Sequence, residues 1–134
     1  MANAVYPSYK EAVQKGEIDV TTTPVKVLCV DTSLYTYNAA HDELSDVAEA
    51  ARIATSGALQ NITVALGIFD ADDIVLASVS GNPFEALILY VEVAASPESG
   101  NPLMCYLDTG YANLPCTPDG GNITIVWPVK IFEL

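Results

Sequence analysis

The sequence predicts an all-β domain, an antiparallel β-sandwich of jelly-roll-like form with a short N-terminal helix. Three observations lead there. The longest unbroken apolar run, Ala86 to Val91, is too continuous for a half-exposed strand, and its β-branched and aromatic members suit the centre of a packed sheet. Turn signals recur roughly every 8–12 residues and separate about eight such runs. The helical crossovers that a parallel α/β sheet requires are missing from the pattern.

The elements follow in order. Tyr6 to Gly16 reads as a short helix, with Pro7 in its first turn and Gly16 past its end. Tyr6, Tyr9 and Val13 lie on one apolar stripe of that helix. Ile18 to Thr22 is a candidate strand running into Thr23-Pro24, and Val25 to Val30 is a clear one, ended by Asp31-Thr32-Ser33. Tyr35 to Arg52 reads as a long loop with one or two helical turns. Strands are then expected at 52–55, 58–65, 74–79, 85–93, 103–107, 122–127 and 129–132. Ile68 to Asp73 forms a corner, Asp119-Gly120-Gly121 a tight turn, and Pro128 an edge or bulge. This organisation divides the chain into an N-terminal helical arm and linker, residues 1–24, and a sandwich domain, residues 25–134.

The totals bound the function. With 134 residues and 51% hydrophobic content, the chain can bury one sizeable core. Five Lys and Arg stand against 17 Asp and Glu, a formal net charge of −12. Phosphate contacts need cations, so nucleic acid is not an expected partner, and anionic membrane surfaces are disfavoured for the same reason. No 18-residue apolar window and no leader-like apolar segment are present, so synthesis in a cytoplasm is expected. Cys29, Cys105 and Cys116 sit among apolar neighbours and are expected as reduced thiols, with a bridge between Cys105 and Cys116 left open.

Several constellations could carry chemistry. Tyr106-Leu107-Asp108-Thr109-Gly110 is similar to the aspartic-protease motif, with Val30-Asp31-Thr32-Ser33 as a looser copy. Such enzymes share a proton between two carboxylates, and a chain this short would need a dimer centred on Asp108 to build the pair. The competing explanation, a strand ended by an Asp-initiated turn, requires no catalysis. Asp70, Asp72 and Asp73 lack the order and closing Glu of a calcium loop. His41 is the sole histidine, and the cysteines lack metal-binding spacing, so no metal and no cofactor is expected. Asn61-Ile62-Thr63 and Asn122-Ile123-Thr124 match glycosylation sequons but read as strand residues. Tyr6, Tyr9, Tyr35, Tyr37 and Tyr111 fall in non-strand segments. Together with Val13 they are the candidate interface residues, for protein or glycan contact.

Taken as a line, the sequence resembles a family of small tailed-bacteriophage virion structural proteins. The likeness runs through Asn3-Ala4-Val5-Tyr6, Tyr9-Lys10-Glu11-Ala12, Gly16-Glu17-Ile18-Asp19 and Val25-Lys26-Val27-Leu28-Cys29-Val30-Asp31-Thr32. It continues through Ala39-Ala40-His41-Asp42, Ala54-Thr55-Ser56-Gly57-Ala58-Leu59, Phe69-Asp70-Ala71-Asp72-Asp73 and Glu85 to Tyr90. It ends with Pro118 to Thr124, Trp127 and Lys130-Ile131-Phe132-Glu133-Leu134. Leu28-Cys29 departs from the small-then-aliphatic pair usual there. The resemblance implies a non-enzymatic head decoration (cement) protein on the capsid exterior. It would bind the major capsid protein and itself, as a dimer or trimer. A tail or head–tail connector component is the alternative, and a virion-displayed glycan-binding module is a third possibility.

Overall fold

The computed structural model describes residues 3–93, 100–111, 114–128 and 130–134. The fold is mainly β, with antiparallel pairing throughout and one short helix. The central element is a five-stranded sheet in the order β1 (Ala4–Val5), β8 (Leu103–Leu107), β7 (Ala86–Val91), β2 (Val25–Val30), β3 (Arg52–Thr55). A three-stranded sheet pairs β10 (Phe132–Glu133), β5 (Ile68–Asp70) and β4 (Thr63–Ala65), and a two-stranded ribbon pairs β6 (Ile74–Leu76) with β9 (Ile123–Ile125).

Every residue of β7 and β8 is buried, so the apolar run of β7 is covered on both faces. The side-chain period of two splits it cleanly. Val25, Val27 and Cys29 of β2, Leu87, Leu89 and Val91 of β7, and Cys105 and Leu107 of β8 face the main core, which Phe69, Leu76, Ile125, Trp127 and Phe132 close from the smaller sheets. Leu28, Val30, Ala86, Ile88, Tyr90, Leu103 and Tyr106 face the other way, into a second core. The register agrees, pairing Leu28 with Ile88, Ile88 with Tyr106, and Leu89 with Cys105. A bulge at Met104 shifts the β7–β8 register between Leu89 and Tyr90, and a second at Ile53 shifts β2–β3.

The second core is roofed by the 31–51 loop, which carries the two expected helical turns, Leu44–Asp46 and Glu49–Ala51, both of 3₁₀ form. Its ends meet where the Asp31 N–H donates to the Ala51 carbonyl at 2.9 Å. Arg52 fastens it by donating from Nε and Nη2 to the Val47 carbonyl, at 2.9 and 2.7 Å, and from Nη2 to Leu44 at 3.0 Å. Asp46 caps the first turn by accepting the Asp42 and Glu43 N–H groups.

The described part of the N-terminal segment, expected as a helical arm and linker, pairs with and packs on the rest of the fold. β1 pairs with β8, the Tyr6 N–H donates to the bulged Met104 carbonyl at 3.0 Å, and Tyr6 is fully buried. The helix α1 (Pro7–Gln14) ends at Gly16 in left-handed backbone, φ +71°. There the Gly16 and Glu17 N–H groups return to the Val13 and Ala12 carbonyls, a Schellman closure. Ile18 to Thr22 is a turn rather than a strand. Asp19 accepts the Thr21 N–H and hydroxyl on its side chain, and the Thr22 and Thr23 N–H groups on its carbonyl, which curls the chain. The expected strand at 58–65 and the corner after it form a hairpin instead. It joins β4 to β5 through Leu66 and Gly67, both at positive φ. A Cβ on Gly67 would lie 3.0 Å from the Leu134 carbonyl, so the C-terminal residue sits where only glycine fits. Of the last expected strand, Val129 lies outside the described residues, and pairing begins at Phe132.

A Tyr6→Ala substitution is expected to lower unfolding free energy by about 3–5 kcal/mol, as for other large buried aromatics, and Tyr6→Phe by about 1 kcal/mol. Urea unfolding followed by circular dichroism measures both. Equal stability of Tyr6→Ala and the parent would show that the segment is a dispensable arm.

Candidate interaction surface

The six candidate interface residues separate into three places. Tyr6, Tyr35 and Tyr37 come together with Tyr106 beneath the 31–51 roof. Ring centroids lie 5.1 Å apart for Tyr6–Tyr37, 5.5 Å for Tyr37–Tyr106 and 6.4 Å for Tyr35–Tyr106. The Tyr6 and Tyr35 hydroxyls are 2.9 Å apart, and the Tyr35 hydroxyl is 2.8 Å from His41 Nδ1. Burial raises the phenol pKa of Tyr6 and of Tyr35, and it pushes that of Tyr106 up to about 12. Tyr111 is elsewhere, edge-on to Trp127 at 6.0 Å, with its hydroxyl donating to the Ile131 carbonyl at 2.9 Å. Tyr6, Tyr35 and Tyr111 therefore hold the fold from inside, and Tyr37 is half-buried against them.

Tyr9 and Val13 are the pair the structure brings to a surface feature. α1, the 16–21 turn, the β4–β5 hairpin and the C-terminal residues enclose a furrow of about 360 Å³ lined by Val13, Ile18, Val64, Phe69 and Leu134. It continues past Val13 and Leu134 into a second hollow of about 270 Å³ beside Val5 and Lys10. Tyr9 forms part of its floor, edge-on to Phe132 at 6.0 Å, and burial pushes its phenol up to about 12. The charged residues lining these hollows are Asp19, Lys10 and Glu133, the last paired with Lys130. The most exposed apolar side chains of this region are Leu66, fully in solvent at 99%, Leu134 at 53% and Val64 at 49%. Sequence reasoning overlooked all three. The signal available was the 53–69 stretch, which holds no charged residue in a chain otherwise rich in carboxylates.

The chemical candidates are engaged locally. Asn3 clamps the Asp-Thr-Gly turn, with its Oδ1 accepting the Asp108 and Thr109 N–H groups at 2.8 and 3.0 Å and its amide donating to the Thr109 carbonyl. Asp31 accepts the Ser33 N–H and hydroxyl, which lower its carboxyl pKa. A hollow of about 290 Å³ does bring Asp108 to Glu85, Tyr106 and Thr32. Glu85 accepts the Thr32 N–H and hydroxyl there, both at 3.0 Å. Asp70 accepts the Ala71 N–H, Asp72 accepts the Asn61 amide, and Asp73 accepts the Trp127 N–H. Asn122 accepts the Ser78 N–H. Among the described residues no group of three or more His, Cys, Asp or Glu is arranged to hold a metal ion. Cys29, Cys105 and Cys116 are free thiols, the first two buried. Burial pushes the Cys29 thiol up to about 12. Among the described residues no helix is long and apolar enough to cross a membrane.

No protein-family model and no curated protein matches the chain.

Local hydrogen bonds hold the carboxyls of Asp31 and Asp46 below the usual aspartate range, from Ser33 in the first case and the Asp42 backbone in the second. The sign follows from linkage. A carboxyl with a depressed folded pKa adds stability that is complete above the unfolded value, about 4, and is lost as pH falls through the lower folded value. The thermal midpoint is therefore expected to hold near neutrality and to drop from about pH 5 downward. Asp46→Asn should lower the neutral midpoint and flatten that acid limb. An acid limb of unchanged slope in a scanning-calorimetry pH series would remove Asp46 from this account.

Proposed function

We propose that the chain is a non-enzymatic structural protein of a tailed-phage virion. It serves as a head decoration protein that binds the major capsid protein on the shell exterior and associates with itself. In this reading its three sheets together form a jelly-roll-like β-sandwich. The sequence resemblance supplies the virion setting. The observation that carries the rest is where the side chains are spent. The tyrosines and the Asp-Thr-Gly turn are occupied in holding the fold, while three exposed apolar side chains, Val64, Leu66 and Leu134, come together at the α1–hairpin furrow. A furrow with exposed Val64, Leu66 and Leu134 at its edge suits protein contact. The excess of carboxylates suits a surface facing solvent rather than packaged DNA.

The test is reconstitution. Purified protein mixed with phage shells assembled without it is expected to co-sediment saturably and to give density on the shell exterior in cryo-electron microscopy. Density on the tail would assign it to the tail instead. Binding to neither would sink the virion reading. The enzymatic rival is settled with Asp108→Asn: capsid binding should be unchanged, and a peptidase activity of the parent that this variant loses would overturn the non-enzymatic reading.

A further inference from the structure

We propose that two copies of the chain pair through strand β4, antiparallel across a two-fold axis at Val64, with each Leu66 covered by the other copy. β4 is the outer strand of its sheet, and Thr63, Val64 and Ala65 are all exposed. The orientation of its backbone follows from β10. The Phe69 carbonyl accepts the Ile131 N–H at 3.0 Å, so the Phe69 backbone faces β10. Val64, directly opposite Phe69, therefore turns its N–H and C=O away from β5, onto the free edge. Among the described residues no backbone group pairs with them. An edge of this kind is a template for another strand, and proteins that avoid such pairing guard the edge with Lys, Pro or a bulge. None of these guards occurs in β4.

The hairpin tip adds a second observation. Leu66 has φ +53° and Gly67 φ +81°, the paired positive dihedrals of a type I′ turn, where Asn-Gly is the favoured sequence. Leucine in left-handed backbone is strained, and this side chain is 99% exposed, so nothing within its own chain compensates.

The open edge and its self-complementary strand point to a second copy as the occupant, with charge as the opposing effect. Two chains of net charge −12 repel wherever their carboxylates meet. An isologous contact lays a patch against its own image, so groups near the two-fold axis meet their own kind and repulsion is least where the axis falls on uncharged residues. Residues 63–67 carry no charge of their own, and Thr63-Val64-Ala65 is self-complementary, Val64 meeting Val64 and Thr63 meeting Ala65; the flanking carboxylates are Asp70, opposite Thr63, and Asp72, on the Asn61 amide.

The measurement is sedimentation equilibrium of the full chain over a concentration series, which does not depend on the virion reading. A reversible species of twice 14.2 kDa is expected. Its association should tighten as NaCl rises from about 50 to about 500 mM, because screening removes the repulsion. Val64→Lys should weaken dimerisation at least about tenfold with an unchanged circular dichroism spectrum. Leu66→Gly should weaken it too, while raising the thermal midpoint by relieving the backbone, a pairing of signs that general damage to the fold would not give. A parent that stays monomeric at every concentration overturns the proposal, as does a dimer indifferent to both variants. A monomer whose capsid binding is lost in Val64→Lys also overturns it and assigns the edge to the capsid protein.

Discussion

The double-sided burial of β7 is the constraint on which the rest of the structure depends. An antiparallel sheet ordinarily shows one face to water. Here β7 presents Leu87, Leu89 and Val91 on one side and Ala86, Ile88 and Tyr90 on the other, and β2 and β8 continue both patterns. Each fully buried side chain of this size contributes roughly 1.5–3 kcal/mol only if water is kept from it. Two covers are therefore obligatory. The smaller sheets form one. The other is a loop, and a loop is a poor roof unless its own polar backbone is satisfied. This gives a physical role to the otherwise scattered polar contacts of residues 31–52: the Arg52 guanidinium on the Leu44 and Val47 carbonyls, the Asp46 cap, and the Asp31–Ala51 closure.

The tyrosines beneath that roof follow from the same constraint. A loop with few large aliphatic side chains fills space with aromatic rings, and each ring brings a hydroxyl that must find a partner once buried. Tyr6, Tyr35 and His41 solve this in series, passing from a fully buried hydroxyl to a half-buried imidazole. The series also joins three distant parts of the chain, the N-terminal segment, the loop and, through ring contact, β8 at Tyr106. The N-terminal residues are thus held by β1 pairing on one side and by the tyrosine cluster on the other.

The strength of each signal in the sequence tracked how much of the burial was continuous. β2, β3, β7 and β8 were legible because their apolar runs are long or sharply bounded, and the loop with helical turns was legible from Leu44, Val47 and Ala51 at helical spacing. β1 was not, since two residues ahead of a proline carry no period. The β4–β5 hairpin was missed because its turn uses Leu66, a residue that no turn preference marks, and Gly67 read as a break. Ile18 to Thr22 has strand composition, but Asp19 offers hydrogen bonds that favour a turn. The tyrosines were read from their non-strand positions as interface candidates, and burial of Tyr6, Tyr35 and Tyr111 was not legible there because a loop that acts as a roof has no apolar period. Of the surface, only Tyr9 and Val13 were anticipated, because the furrow is assembled from segments far apart in sequence.

Charge bears on the surface as burial bears on the interior. Of the few cations, Lys15, Lys26 and Lys130 are already paired with Glu11, Glu92 and Glu133. Arg52 is directed at backbone carbonyls. Little positive charge is left to offset the remaining carboxylates, so the molecule cannot build a self-contact from salt bridges. Apolar and backbone contacts are what remain, and these need a neutral approach path within the screening distance of about 8–10 Å. Residues 63–67 come nearest to one, with Asp70 and Asp72 alongside, so salt must screen the residual repulsion. Neutrality at an edge strand is usually a liability, because it leaves nothing to prevent pairing. In a chain whose other surfaces repel their own kind, the uncharged 63–67 hairpin tip is what the proposed two-fold pairing would use.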